Sequence, residues 1–385
     1  MRPALTKARV AVVGAGAFGR NHLRVYRELE DAELVALVDR DEAVCAEAAA
    51  AFGVAGFATV EALLASGLRV DAASVCVPTV HHLAAARPLL EAGVDVLVEK
   101  PLAAALEDAD ELIAVAAEHG RVLQVGHLER FNPAVTAVRE RLTRPMFFEA
   151  HRLSVFTARS LDVDVVLDLM IHDLDIVLSL VASEVREVRA VGLPVLSRTV
   201  DIANVRVEFE NGCVANFTAS RVSTERVRKL RFFQPHQYLS LDFARQDLLL
   251  IDVTAAAGLS TEALKELIET HSKPEAAHPT AGLSMSKVAV EAGEPLRLEL
   301  ESFLGAVRGR TAPVVDGAAG SGVGAGDQCG DCGASGEGGA GVGMRAGARS
   351  SMRSSATRAG MATDSGTLMR LRISPRSNDS RTQAR

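Results

Sequence analysis

Residues 9–13 read Arg-Val-Ala-Val-Val, a short β-branched run, and Gly14, Gly16 and Gly19 follow at once. Few local patterns constrain a fold as tightly. An extended segment ends in a turn suited to glycine, and a helix opens directly after it, with apolar positions at Leu23, Tyr26 and Leu29. In that strand–turn–helix setting, G-x-G-x-x-G marks a dinucleotide-binding βαβ unit. Gly14 permits the turn, Gly16 lets the backbone approach a pyrophosphate, and Gly19 lets helix and strand pack closely. The helix start, at Ala17 and Phe18, offers unpaired N–H groups and the positive end of its dipole to the phosphates. A second strand over 33–38 ends in Asp39, twenty positions beyond Gly19. An acceptor there suits the ribose hydroxyls of NAD and repels the extra phosphate of NADP, whereas Arg40 is able to receive that phosphate. The expected cofactor is NAD, with NADP left open.

Strand and helix patterns continue to alternate. Helices are expected over 42–52, 59–66, 81–92 and 106–119, with strands over 71–77, 94–98 and 122–125. This rhythm means a doubly wound parallel sheet with right-handed crossovers, a Rossmann arrangement. Val96-Leu97-Val98 runs straight into Glu99-Lys100-Pro101, where proline withdraws a ladder donor and holds Lys100 extended, so the strand stops. Ligands of open α/β sheets bind beyond the carboxyl ends of the strands. Pro78, Thr79, His82, Glu99 and Lys100 are therefore expected to line the cofactor crevice. For His82, a surface position at a helix start competes with a cofactor contact.

From Gly126 the texture changes. A polar segment over 126–133 carries His127, Arg130 and Asn132 and leads into a helix over 134–142. Strand-like runs then occupy 147–156, 187–193, 202–209, 213–220, 226–233, 238–241 and 248–253, with Asn211-Gly212 as a hairpin signal. Successive hairpins indicate a second, α+β domain with a large, mostly antiparallel sheet. One helix, over 165–181, interrupts them. Asp168 and His172 lie four apart on it, and a carboxylate one turn behind a histidine can fix its tautomer and raise its basicity. A solvated ion pair on a helix face is the plainer alternative. The expected domains are 1–126, 127–317 and a Gly/Ser/Arg-rich tail, 318–385, too poor in apolar residues to order itself.

Composition narrows the classes of function. The 385 residues suffice for two ordinary cores, and a formal net charge of −7 gives no reason to expect nucleic acid or an anionic membrane as a partner. No apolar run is long enough to span a membrane, and residues 1–7 lack the apolar core of a signal peptide. Of five cysteines, Cys45, Cys76 and Cys213 are scattered singly, which suits buried thiols in a reducing cytoplasm. Cys329 and Cys332 form a C-x-x-C with no second pair or histidine, so no metal site is expected.

Taken together, these motifs resemble the glucose–fructose oxidoreductase / inositol dehydrogenase / MocA (Gfo/Idh/MocA) family over residues 8–317. The family's P-[NT]-x-x-H turn appears as Pro78-Thr79-Val80-His81-His82. Its A-G-x-x-V-x-x-E-K-P appears at Ala92-Gly93 and Glu99-Lys100-Pro101, and its second-domain D-x-x-x-H at Asp168 and His172. The resemblance implies an NAD(P)-dependent dehydrogenase of CH–OH groups. Lys100 and His172 would act at the substrate hydroxyl with Asp168 assisting, and Glu99-Lys100 would touch the nicotinamide ribose. The 126–133 segment is most similar to bacterial nucleotide-sugar 3-dehydrogenases, which oxidise UDP-N-acetylglucosamine or its uronic acid. Such a substrate directs attention to His127, Arg130, Asn132 and Arg152 beside Lys100, Asp168 and His172, because its diphosphate needs cationic and amide donors. Dehydrogenation of a free polyol or sugar is the nearest alternative, and a catalytically silent NAD-binding sensor or partner protein is a different class. A homodimer or homotetramer formed through the C-terminal sheet is implied. The chain departs from the family pattern at Ala318, where an Ala/Leu-rich terminal helix is replaced by Gly/Arg-rich sequence. A shifted reading frame in a GC-rich gene or a divergent tail would each explain it.

Overall fold

The computed structural model describes residues 7–157, 163–253, 259–263, 265, 284–321, 324–325 and 371–372. These divide into two units: residues up to Phe131 together with those from Gly293 onward, and Asn132–Ala292.

In the first unit, strands and helices alternate as β1 (Ala8–Val13), α1 (Ala17–Glu28), β2 (Ala32–Val38), α2 (Glu42–Phe52), β3 (Ala55–Phe57), α3 (Val60–Ala65), β4 (Ala72–Val75), α4 (His82–Glu91), β5 (Asp95–Glu99), α5 (Leu106–Glu118) and β6 (Leu123–Gly126). The six strands are parallel in the order β3-β2-β1-β4-β5-β6, so the chain reverses direction across the sheet between β1 and β4. Both faces are covered, which is why the strands read as near-continuous apolar runs. Val13, Val38, Val75, Val98 and Val125 share one core with α4 and α5. Val10, Val12 and Leu97 share the other with Leu23 and Tyr26 of α1.

That second core is completed from far along the chain. Helix α8 (Pro295–Gly309; α6 and α7 are given below) places Leu296, Leu300, Phe303, Leu304 and Val307 in it. The expected boundary, which assigned everything from 127 to 317 to the second domain, is corrected here. An amphipathic stripe shows that a helix must bury one face, but not against which partner. Three-residue β3, containing Gly56, carries no strand signal and is likewise supplied only by the structure.

The second unit holds α6 (Pro133–Arg139), β7 (Phe147–Leu153), a π-helical turn (Val166–Met170) leading into α7 (Ile171–Leu180), then β8 (Val185–Leu193), β9 (Ile202–Phe209), β10 (Val214–Ser220), β11 (Val227–Gln234), β12 (Gln237–Asp242), β13 (Asp247–Asp252) and β14 (Ser284–Val288). They form one eight-stranded sheet, β14-β13-β12-β11-β7-β10-β9-β8, antiparallel except where β7 pairs parallel with β10. Along β7, Phe148, Ala150 and Arg152 are buried, and Arg152 bonds to α7 from that face. The opposite face is open. Phe147, Phe233 and Tyr238 cluster there with ring centroids 5.9 and 5.1 Å apart, and Phe233 is 41% exposed.

The expected unordered tail falls mostly outside the described residues, as do Cys329 and Cys332, although Gly317–Ser321 forms a helical turn and Gly324–Ala325 pairs with Leu371–Arg372. Among the described residues no helix is long and apolar enough to cross a membrane. Phe303 is fully buried in the α1–α8 core, so Phe303→Ala is expected to cost about 3–5 kcal/mol. A lowered urea midpoint checks this, and an unchanged midpoint would detach α8 from that core.

Candidate active site

At the carboxyl edge of the parallel sheet, the glycine loop is fixed by sterics. Gly14 adopts φ 96° and donates its N–H to Val38 O at 2.7 Å. A Cβ on Gly19 would lie 1.8 Å from Gly14 O, so no side chain fits there. A Cβ on Gly16 meets nothing within 4 Å, which leaves that backbone open to an approaching group. Helix α1 begins at Ala17 with no side-chain cap and no acidic residue in its first turn. Its N–H groups and dipole are thus available to an anion, and Phe18 lies beside them, 38% exposed.

Asp39 ends β2 as expected and is also engaged within the loop. Its Oδ2 accepts from Ala15 N–H at 2.7 Å and its Oδ1 from Asp41 N–H at 3.0 Å. Exposed Arg40 reaches His81 instead, with Nη1 3.3 Å from Nε2. Pro78 is exposed and Thr79 opens a short 3-10 turn, Thr79–His81.

His82 is not the surface histidine that one reading of the sequence expects, and both of its ring nitrogens face backbone carbonyls. At 1% exposure, its Nε2 lies 2.9 Å from Val77 O, and its Nδ1 lies 3.0 and 3.2 Å from Pro101 O and Leu102 O. It ties the end of the β4 segment to the turn that follows Lys100. Burial lowers its pKa below the ordinary 6.5, against the carbonyls that favour the charged ring.

Glu99 and Lys100 stand half-buried at the end of β5, with a cis bond between Lys100 and Pro101. The Glu99 carboxylate meets a partner that the sequence did not point to, His22 of α1, at 3.0 Å. His127 and Arg130 follow β6 and are both buried.

In the second unit, Asp168 and His172 do not lie on one regular helix. Asp168 belongs to the π turn, where Ile171 N–H bonds five residues back to Val166 O, and His172 lies in the first turn of α7. Their offset is set by this wide turn rather than by a repeat of about 3.6 residues; such turns recur at functional sites. The segment before them is pinned. Asp164 Oδ1 accepts from the N–H groups of Val166 and Leu167, and Val165 N–H donates to Val200 O. Arg221 donates to Val163 O. Next to Val200, Asp201 gathers the N–H groups of Val195, Leu196 and Ser197 and the Ser197 hydroxyl. Burial alone would raise the Asp201 carboxyl, but those bonds hold it well below the usual carboxylate range.

Two residues expected to grip a diphosphate are held by the protein itself. Asn132 caps α6 through Oδ1 and donates from Nδ2 to Phe243 O at 3.1 Å. Arg152 Nε and Nη2 form a buried two-point pair with Asp173 at 2.9 and 2.8 Å, and its guanidinium sits 5.1 Å from the centroid of the Phe243 ring. Both are thus already engaged by partners within the protein. Asp173 was not singled out in the sequence, although it lies next to His172 on a helix rich in apolar residues. Among the described residues no group of three or more His, Cys, Asp or Glu is placed to hold a metal.

Comparison with known proteins places this geometry. A family model for the oxidoreductase family with an NAD-binding Rossmann fold matches residues 8–127, and one for the GFO/IDH/MocA C-terminal domain matches 134–234. UDP-N-acetylglucosamine 3-dehydrogenase of Acidithiobacillus ferrooxidans is 41% identical over 241 residues, which is 62% of this chain and 75% of that protein. The crystal form of that enzyme superposes with a TM-score of 0.71 at 35% identity, covering 81% of this chain and 93% of the other. Inositol 2-dehydrogenase of Corynebacterium glutamicum is 35% identical over 135 residues, 34% of this chain and 40% of that protein. Levoglucosan dehydrogenase in complex with NADH and L-sorbose shares the fold at a TM-score of 0.69 and 16% identity, covering 82% and 94% of the two chains.

Two outcomes follow. Asp173→Ala removes the two-point carboxylate from a buried guanidinium and is expected to cost about 3–5 kcal/mol in denaturant titration. Because the folded pKa of His82 is depressed, its contribution to stability is full above about pH 6.5 and is lost as the pH falls below that value. The melting temperature of the wild type should therefore fall more steeply on acidification than that of His82→Gln.

Proposed function

Because the chain belongs to the Gfo/Idh/MocA oxidoreductase family, whose members of this kind are nicotinamide-dependent dehydrogenases of CH–OH groups, we propose that it oxidises a nucleotide sugar such as UDP-N-acetylglucosamine at the 3-hydroxyl. The observation that carries this reading is 41% identity across three quarters of an enzyme of that name. The presence of Lys100, Asp168 and His172 together supports chemistry over a silent NAD-binding role.

The uncapped start of α1, the open backbone at Gly16 and Asp39 form the set that would hold NAD. When bound, NAD supplies the hydride acceptor. The residues of the chain handle the proton and the charge. His172 takes the hydroxyl proton as general base, with Asp168 assisting. The Lys100 ammonium steadies the oxygen as negative charge develops on it. Toward the diphosphate the candidates are Arg130 and His127, with Asn132 and Arg152 also engaged by protein partners. Asp39 favours NAD over NADP, and the open aromatic face at Phe147, Phe233 and Tyr238 is the surface through which a homodimer or homotetramer would form. The free buried thiols of Cys45 and Cys213 suit work in a reducing cytoplasm.

General-base assistance is worth about 100- to 10,000-fold, so His172→Asn and Lys100→Met should each lower kcat by at least that order. Wild-type rates in either variant would remove the assignment. UDP should compete with a nucleotide-sugar substrate. If it fails to inhibit, while a free polyol or aldose is turned over, the enzyme is of the inositol type.

A further inference from the structure

We infer that His22 is a positioning residue for this reaction: it holds the Glu99 carboxylate, and through it the strand end that carries Lys100. The inference rests on the roles given above to Glu99 and Lys100.

His22 is fully buried on α1, one helical turn after Phe18 and one before Tyr26. Its ring is boxed in by both, at centroid distances of 5.3 and 6.4 Å. Tyr26 is itself fixed, its hydroxyl 2.8 Å from Ser74 Oγ on β4. The ring therefore has one place to be, and there its Nε2 meets Glu99 Oε1 at 3.0 Å. The carboxylate is held from a second side by Gly126. A Cβ there would come within 2.7 Å of Glu99 Oε1, so the absence of a side chain makes the space in which Glu99 lies. With 12% of its side chain accessible, Glu99 joins this buried contact to the edge of the sheet where Lys100 follows.

A buried histidine–carboxylate contact is a poor way to add stability, since an apolar pair would fill the same volume without the cost of desolvating polar groups. What it does provide is orientation. Helix α1 presents its N-terminus to the phosphates and, one turn later, fixes Glu99. One rigid element thus sets both the dinucleotide and the residue preceding the lysine. Displacements of about 1 Å at a reacting group are worth up to about a hundredfold in rate.

The test is a double-mutant cycle on the full chain, read by NADH titration and by steady-state kinetics with UDP-N-acetylglucosamine. His22→Phe keeps the ring volume and removes the donor; it should weaken NADH binding and lower kcat by about tenfold each, with KM for the sugar changing by less than about twofold. His22→Gln restores an N–H near the Nε2 position and should return both values to within about threefold of wild type. In a Glu99→Leu background, which has no acceptor, His22→Phe should add less than about twofold. Equal losses from His22→Phe with and without Glu99→Leu would overturn the inference. So would a His22→Gln enzyme as impaired as His22→Phe, or an unimpaired His22→Phe. Should His22→Phe not fold, His22→Asn takes its place, because its shorter amide does not reach the Nε2 position. If the wild type oxidises no sugar, the proposed reaction fails, while the NADH arm of the cycle still decides the role of His22.

Discussion

Helix α1 meets strand β1 so closely that Gly19 touches the carbonyl of Gly14, and the remainder of the parallel-sheet unit is arranged around that contact. A Cβ at Gly19 would sit 1.8 Å from the oxygen. Close approach brings the uncapped helix start to the carboxyl edge of the sheet, between the ends of β1 and β4. It also drives the inner face of α1 into the sheet, which buries His22 and Tyr26 against Glu99 and Ser74. The anion-binding end, the polar contacts beneath it and the lysine-bearing strand end are three results of one steric fact.

Much of this was legible from side chains alone. β-Branched runs ending in glycine, proline or aspartate located five of the six parallel strands, because strands buried on both faces must be apolar throughout. Strand-like runs and the Asn211-Gly212 hairpin signal located most of the second sheet. What escaped was non-local. Nothing in 295–309 says that its apolar stripe belongs with α1, and nothing in β7 or β10 announces a parallel pairing between them. The π turn at Val166–Met170 escaped for a different reason. It depends on which carbonyl an N–H selects, and side-chain periodicity does not encode that choice.

Polar residues were the least legible, and the reasons are instructive. The chemistry that makes Asn132, Arg152 and His82 candidates for ligand contact also suits buried backbone and buried carboxylate, and each has such a partner within the protein. A buried polar atom must find a partner within the protein unless water or a ligand supplies one, so residue type alone leaves the partner undetermined. Conversely, His22 and Asp173 drew no attention as single polar residues within amphipathic helices, yet each holds an opposite group at 3.0 Å or less. A histidine or aspartate placed on the apolar stripe of a helix is the sequence signal that could have exposed both. The proposed chemistry falls to Lys100, which follows Glu99 at the end of β5, and to Asp168 and His172 around the start of α7.

The central claim, that this chain transfers hydride from a sugar hydroxyl to NAD, is tested most directly by following NADH absorbance with purified protein, NAD and a panel of sugars. The account predicts NADH formation with UDP-N-acetylglucosamine and loss of that signal in Lys100→Met. A wild-type protein that binds NADH yet reduces NAD with no nucleotide sugar, free sugar or polyol would contradict it.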